Sequence, residues 1–424
     1  MTRIPPSQPP SISVSLGKIP EAAAFRLDNS IPVYIIEAGS EDVMRIDFTF
    51  GAGQAAEYLP LLASATNMML TEGSLNYTSS KLNKILDFHG AFYNLYAEKD
   101  RAGIVIFFLN RHIEKILELT REILFQPVFP DTELKALMKK HLRWYLVNRD
   151  KVNNLAMDQF FESIFGKHHP YGRQVVQDDF QNLDPAILKD FHSKYYTPAK
   201  LAIIVSGKIR KDIVILLNRF FGEMSSNGIT PSESGNVIKS EDRKQVHVEK
   251  KGAVQTAIRI GSPSINKLHP DYPGLKVADV VLGGYFNSRL MKNIREEKGL
   301  TYGIYSVITS LIISGFKVIS TEVSNKSTQK AIDEIYKEIQ LLQNVPVEKE
   351  ELEIVRNYML GEMIRMFDGP FALAESFRSV WEFGLDNEYY YRLARKIKTI
   401  EPDEITDMAK TYYNIDDMYQ ITAG

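Results

Sequence analysis

The chain is 424 residues long, 44% apolar and 25% charged, with a net charge of -2. That length suits two or more domains, each able to bury its own core, and so ordinary a composition excludes a fibrous or disordered chain. The near-neutral charge gives no electrostatic case for nucleic acid or an anionic membrane, and the absence of cysteine excludes disulfides, iron–sulfur clusters, zinc ribbons and cysteine nucleophiles.

Residues 1–20 read as an extended lead-in. The opening run MTRIPPSQPPSISVSLGK lacks the apolar core of about 7 to 15 residues that marks a secretory signal, which favours the cytoplasm. No apolar run approaches the roughly 20 residues needed to span a bilayer. Residues 25–36 predict strand, turn and strand, with Asp28, Asn29 and Ser30 in the turn, and 44–50 a further strand. Residues 57–71 form a helix-length apolar segment closed by Gly73. A second helix is capped at Thr78 or Ser79, presents Leu82, Ile85, Leu86 and His89 on one face, and stops at Gly90. Strands follow at 91–97 and 103–109, then a helix carrying Ile113, Ile116, Leu117, Ile123 and Leu124, then a single long helical stretch from about 133 towards 165. The run YYTPAKLAIIVSGKI closes this part at residue 209.

Residues 224–241, rich in Ser, Gly and Asn, read as a linker. The order of elements then repeats: a strand at 257–260, a helix at 275–282, a strand at 316–323, a helix with Ile332, Ile335, Tyr336 and Ile339, and another long helix from about 349. Pro346 follows Pro130 by 216 residues and Tyr412 follows Tyr195 by 217, two agreeing offsets that argue for an internal duplication. The expected fold is therefore α+β, with two homologous domains, 21–223 and 242–424, each an antiparallel sheet packed with helices.

The most distinctive stretch spans 283–306, GGYFNSRLMKNIREEKGLTYGIYS. Residues 286–298 predict a short helix ended by Gly299, with a strand starting at 301. Arg295 then sits in the last helical turn and Tyr302 on the strand beyond, where a guanidinium and a phenol could converge on one acceptor. This spacing, with the rest of the stretch, resembles the signature of the pitrilysin/insulinase (inverzincin) family of zinc metallopeptidases, and the ordering of elements resembles that family's bacterial processing-peptidase-like half-enzymes from residue 25 onward. The resemblance implies that Arg295 and Tyr302 hydrogen-bond a substrate backbone carbonyl, a task their donors suit, in a second domain that faces a zinc-bearing first one.

Family enzymes place His-x-x-Glu-His on the first helix, since spacings of three and four put the side chains on one face. Alignment on MMLTEGS puts those positions at Ser64, Asn67 and Met68. Serine is a poor zinc ligand, methionine offers only a neutral thioether, and asparagine cannot act as a base. Residues 134–161 contain no glutamate to complete a zinc site; Lys139, Lys140 and His141 stand there instead. Among the histidines, His168 and His169 form the only close pair and read as a loop pair beside Pro170 and Tyr171, while His89 and His192 read as core or boundary residues. No Gly-x-Ser-x-Gly elbow and no phosphate-binding Gly-x-x-x-x-Gly-Lys-Ser/Thr loop occurs.

The family includes members that divide the work between a zinc-bearing subunit and one bearing the Arg/Tyr pair. The resemblance thus implies a non-catalytic, peptide-binding subunit of a heterodimeric zinc peptidase. It needs no metal of its own, expects zinc in its partner, and takes unstructured peptide as substrate. Three alternatives stay open at this point: a structural or scaffolding protein, a homodimer that binds peptides without cutting them, and a peptidase using an unrecognised centre.

Overall fold

Two sets of strands, their central members buried on both faces, build two sheets that share one plan. The computed structural model describes residues 16–225 and 238–424; most of the expected lead-in and linker lies outside the described residues. The first sheet contains β1 (Ala23–Arg26), β2 (Pro32–Glu37), β3 (Val43–Phe50), β4 (Phe92–Ala97), β5 (Ala102–Leu109) and β6 (Leu201–Gly207), in the order β1-β2-β6-β3-β5-β4. The second contains β7 (Gln245–Val248), β8 (Gln255–Ser264), β9 (Ile304–Ser310), β10 (Gly315–Ser324) and β11 (Tyr419–Ala423), in the order β7-β11-β8-β10-β9. Without β1 the two orders correspond strand for strand. Each is antiparallel except for one equivalent pair, β2 with β6 and β7 with β11. The chain is thus a tandem duplication of an α+β unit.

The helices repeat as well. In the first half they are α1 (Leu62–Met69), α2 (Ser79–Phe88), α3 (Ile113–Phe125), α4 (Asp131–Asn148), α5 (Val152–Phe165), α6 (Pro185–Tyr195) and α7 (Ile213–Leu217). The second half has α8 (Tyr272–Asp279), α9 (Thr328–Asn344), α10 (Lys349–Arg365), α11 (Pro370–Trp381), α12 (Glu388–Thr399) and α13 (Pro402–Tyr412). Thr78 caps α2, its hydroxyl accepting from Lys81 N at 3.4 Å, and Gly90 follows that helix with φ +61°, as a left-handed stop requires. The long helix expected over 133–165 is two helices. Lys151 adopts an extended backbone before α5, and Asn148 O at the end of α4 accepts from both Lys151 N at 3.0 Å and the Asn154 amide at 2.9 Å. The second long helix breaks likewise, at Gly369 with φ +88° and Pro370 at the head of α11.

These breaks let each half cover the other. On β6, Leu201, Ile203 and Val205 face the first half's own core, while Ile204 faces the opposite way and joins Leu373 and Ala374 of α11. Tyr34 on β2 meets Phe377 and Trp381 of α11 with ring centroids 5.1 and 5.7 Å apart. Reciprocally, α5 lies across the second sheet: Phe160, Ile164 and Phe165 pack with Phe316, Val318, Tyr419 and Ile421, and Ala156 meets Ala257 and Ala423. Both faces of each central strand are therefore buried, which is why LAIIVSG on β6 is apolar without alternation.

A buried charge pair sits under α11. Arg45 on β3 is 3% exposed and donates from Nε to Asp47 Oδ1 at 3.1 Å, and from Nη1 to Phe371 O and Glu375 Oε1, both at 2.9 Å. Asp47 is fully buried, and that burial pushes its carboxyl above the usual range against the pull of Arg45. Replacing Arg45 alone with Met strands the Asp47 charge and should cost about 3–5 kcal/mol in urea unfolding, whereas Arg45→Met with Asp47→Leu should recover most of that loss.

Candidate functional site

The stretch 283–306 begins inside a helix. From α8 the backbone continues through a π-helical turn, Val280–Gly284, that brings Gly283 hard against β9; a Cβ there would lie 2.7 Å from Ser306 N. A second π-helical turn, Met291–Glu297, buries Met291, Asn293 and Ile294. It closes on Gly299, with φ +59°, where Leu300 N donates to Ile294 O at 2.9 Å.

Arg295 stands in the last turn of that helix, as expected. Its side chain is 34% exposed, its guanidinium carbon lies 4.8 Å from the Phe286 ring centroid, and Nη1 is 3.8 Å from Glu296 Oε1. Tyr302 differs from expectation in its element: it occupies the turn ahead of β9, which starts at Ile304, because Thr301 Oγ1 accepts from Gly303 N at 3.1 Å and holds a local loop. Its ring is 94% exposed and stands at a cavity of about 260 Å³, together with Thr301, Tyr305, Arg259, Ser320 and Glu322. Arg295 is not among the residues lining that cavity. The structure thus groups Tyr302 with Arg259 and Tyr305, and places Arg295 against Phe286.

The three zinc-motif positions lie on α1. The Ser64 hydroxyl donates to Leu61 O at 3.0 Å. Asn67 is 1% exposed, and its amide nitrogen donates to Gly103 O and Tyr196 Oη, each at 3.1 Å. It therefore fastens α1 to β5 and to the end of α6. Met68 presents a thioether at the surface. A hydroxyl, a carboxamide already committed to the core and a neutral sulfur do not fit a zinc ion, and no group of three or more His, Cys, Asp or Glu among the described residues could hold a metal.

The remaining histidines divide between core and surface. His192 is half-buried; its ring stacks on Tyr196 with centroids 5.1 Å apart, and Nε2 donates to Leu124 O at 2.8 Å. Burial pulls its pKa down to about 4, opposed by that hydrogen bond. His89 caps the end of α2, with Nδ1 3.2 Å from His112 Nδ1, a pairing that sequence reading missed because 23 residues separate the two rings. His168 is exposed and His169 buried, with His169 Nδ1 accepting from Tyr171 N at 3.1 Å.

The loop HPYGR that follows is a structural clamp. Tyr171 Oη donates to the Asp100 carboxylate, Lys99 Nζ donates to Tyr171 O at 3.0 Å, and Arg173 pairs with Glu57 at 3.0 Å. Glu57 in turn accepts from Ala63 N at 3.1 Å, satisfying an open donor at the start of α1. A second cavity of about 320 Å³ lies beside this loop, lined by Lys99, Trp144, Tyr145, Asp158, Phe161 and Arg173. Burial draws the Lys99 pKa down to about 8, with Glu57, Asp158 and Asp100 opposing.

Arg259 is the site residue that sequence reading overlooked. A single cation inside the apolar run Ala257-Ile258-Arg259-Ile260 was the available signal, since an arginine in the middle of a doubly covered strand must be buried.

Fold and site together define a tandem α+β protein of metallohydrolase type with no metal centre among its described residues. Residues 41–179 match the family described as insulinase (peptidase family M16), and 182–359 match the peptidase M16 inactive domain. The chain belongs to this M16, or pitrilysin/insulinase, family. It is 23% identical over 300 residues to the uncharacterized zinc protease YmxG of Bacillus subtilis, covering 70% of this chain and 72% of that protein. It is 21% identical over 360 residues to the non-peptidase homolog YmxG of Helicobacter pylori, covering 84% of this chain and 83% of the other. Among solved structures, a peptidase M16 inactive domain from Pseudomonas fluorescens superposes with a TM-score of 0.85 at 21% identity, covering 95% of this chain and 98% of that one. No described helix is long and apolar enough to cross a membrane.

His192 carries a pH signature. Unfolded, its imidazole takes up a proton near 6.5; folded, only near 4. Its contribution to stability is therefore fully present above 6.5 and is lost as pH falls towards 4. Urea unfolding should show about 2 kcal/mol of stability lost between pH 7 and 4.5 from this group, a component that His192→Gln removes.

Proposed function

We propose that this chain is the non-catalytic, peptide-binding subunit of a heterodimeric zinc peptidase. In this reading its domains, 21–223 and 242–424, face a homologous partner that carries the zinc and the general base. The observation that carries the reading is Asn67: at the position of the family's catalytic glutamate stands a carboxamide committed to Gly103 and Tyr196 in the core, while Tyr302 in the second half stays 94% exposed at the mouth of a cavity.

Arg295 and Tyr302 act here as donors to a substrate backbone carbonyl. An always-charged fork and a phenol on a stiff ring suit an acceptor that carries no sequence information, so substrates would be selected by extension and lack of structure more than by side chains. β9 lies at the edge of its sheet, so an extended peptide can also pair with its backbone. The Arg295 guanidinium has only the weak Glu296 contact and the Phe286 ring to leave when substrate arrives.

The test mixes the purified chain with a zinc-motif homologue from the same source and follows cleavage of an unstructured peptide pool. Hydrolysis should require both chains. Arg295→Ala with Tyr302→Phe should lower kcat/KM of the pair about 10- to 100-fold, the loss of one or two charge-assisted or neutral hydrogen bonds. Unchanged kinetics in the double variant would reject the proposed roles.

A further inference from the structure

The duplication places unlike charges at equivalent points of the two sheets. Asp47 pairs with Ile204 on β6, and Arg259 with Ile421 on β11; Ile421 follows Ile204 by the same 217 residues that separate Tyr195 from Tyr412. Each site also receives the second residue of the helix contributed by the other half. Phe371 O of α11 accepts from Arg45 at 2.9 Å, and Asn153 O of α5 accepts from Arg259 Nη2 at 3.3 Å.

The two sites differ in how the guanidinium is neutralised. Arg45 has Asp47 and Glu375. Arg259, 2% exposed, is hydrogen-bonded among the described residues only to carbonyls, Ile258 O at 2.8 Å and Thr321 O at 3.5 Å from Nη1, besides Asn153 O, with Glu322 acting on it through space. Among the described residues its Nε has no hydrogen-bond partner, and neither does Ser320 Oγ, which sits directly across the ladder on β10 and is 1% exposed. Both line the cavity of about 260 Å³ that opens past Tyr302 and Tyr305. Leaving a guanidinium Nε and a hydroxyl unsatisfied at such depth is costly, and burial pulls the Arg259 pKa below its ordinary value. Asn153 in the first turn of α5 lines the same cavity, so the positive end of that helix dipole adds to the field.

We infer that this cavity is a carboxylate-binding pocket, in which Arg259 and Ser320 receive a carboxylate of a peptide whose chain leaves past Tyr302 and Tyr305. The inference rests on the peptide-binding reading above and names a chemical preference within it. A planar carboxylate matches the guanidinium fork. It is favoured over a phosphate because Glu322 also lines the cavity and would oppose a group carrying about -1.5 to -2 charges. The carboxylate can come from a C-terminus or from an Asp or Glu side chain.

Calorimetric titration of the full chain with three acetylated peptides of one neutral core separates the cases: one with a free C-terminus, one amidated, and one amidated with a single internal Glu. At least one carboxylate peptide should bind about tenfold or more tightly than the neutral amide, and whichever does so identifies the source. Arg259→Met should bring the three to within about twofold of one another, because it removes the guanidinium that receives the carboxylate. Ser320→Ala, a milder change, should weaken only the carboxylate peptide and serves if the first variant does not fold. Equal binding of all three by the wild type, or a preference that survives Arg259→Met, overturns the pocket while leaving peptide binding intact. Failure of every peptide to bind overturns both.

Discussion

Neither sheet of this protein can bury both its faces with the helices of its own half, and the rest of the structure depends on that constraint. β6 and β8 are buried on both sides along most of their length, so each needs a second cover. The cover comes from across the molecule, α11 for the first sheet and α5 for the second. Each half thus depends on the other for part of its core, and the apolar area involved makes the pairing of halves part of folding.

The same arrangement explains where polar groups could survive burial. At the crossing of β3 with α11, Arg45 and Asp47 neutralise one another and Arg45 fastens the helix through Phe371 O. At the crossing of β8 with α5, Arg259 fastens the helix through Asn153 O and feels Glu322 only through space, with no ion pair at contact distance among the described residues. Duplication supplied one geometry twice, and divergence left the second copy with a cation that has no contact ion pair, beside an opening. A comparable divergence separates α1 from a zinc helix: Asn67 now bonds to Gly103 and Tyr196, so its position has become part of the core.

Much of this was legible in the sequence. Short apolar strand runs, Thr78 and Gly90 at the ends of α2, and the offsets of 216 and 217 residues marked by Pro130 and Tyr195 announced a duplicated α+β unit. The sequence aligns Ser64, Asn67 and Met68 with the family's zinc motif, and metal chemistry needs atoms that these side chains do not supply. What escaped was long-range. Periodicity shows that α5 has an apolar face but not that Phe160 meets Phe316 of the other half. The break between α4 and α5 depends on a cap from Asn154 back to Asn148, which composition does not announce. Arg259 was hidden because a strand position is known to be buried only once both covers are known, and one cover is 106 residues away at Asn153.

The most direct test is native mass spectrometry of the full chain alone, incubated with zinc and a pool of unstructured peptides. The account predicts a chain that carries peptide, carries no stoichiometric zinc, and releases the peptide uncut. A chain that holds one zinc and returns cleaved peptide, with cleavage abolished by a chelator, would contradict it.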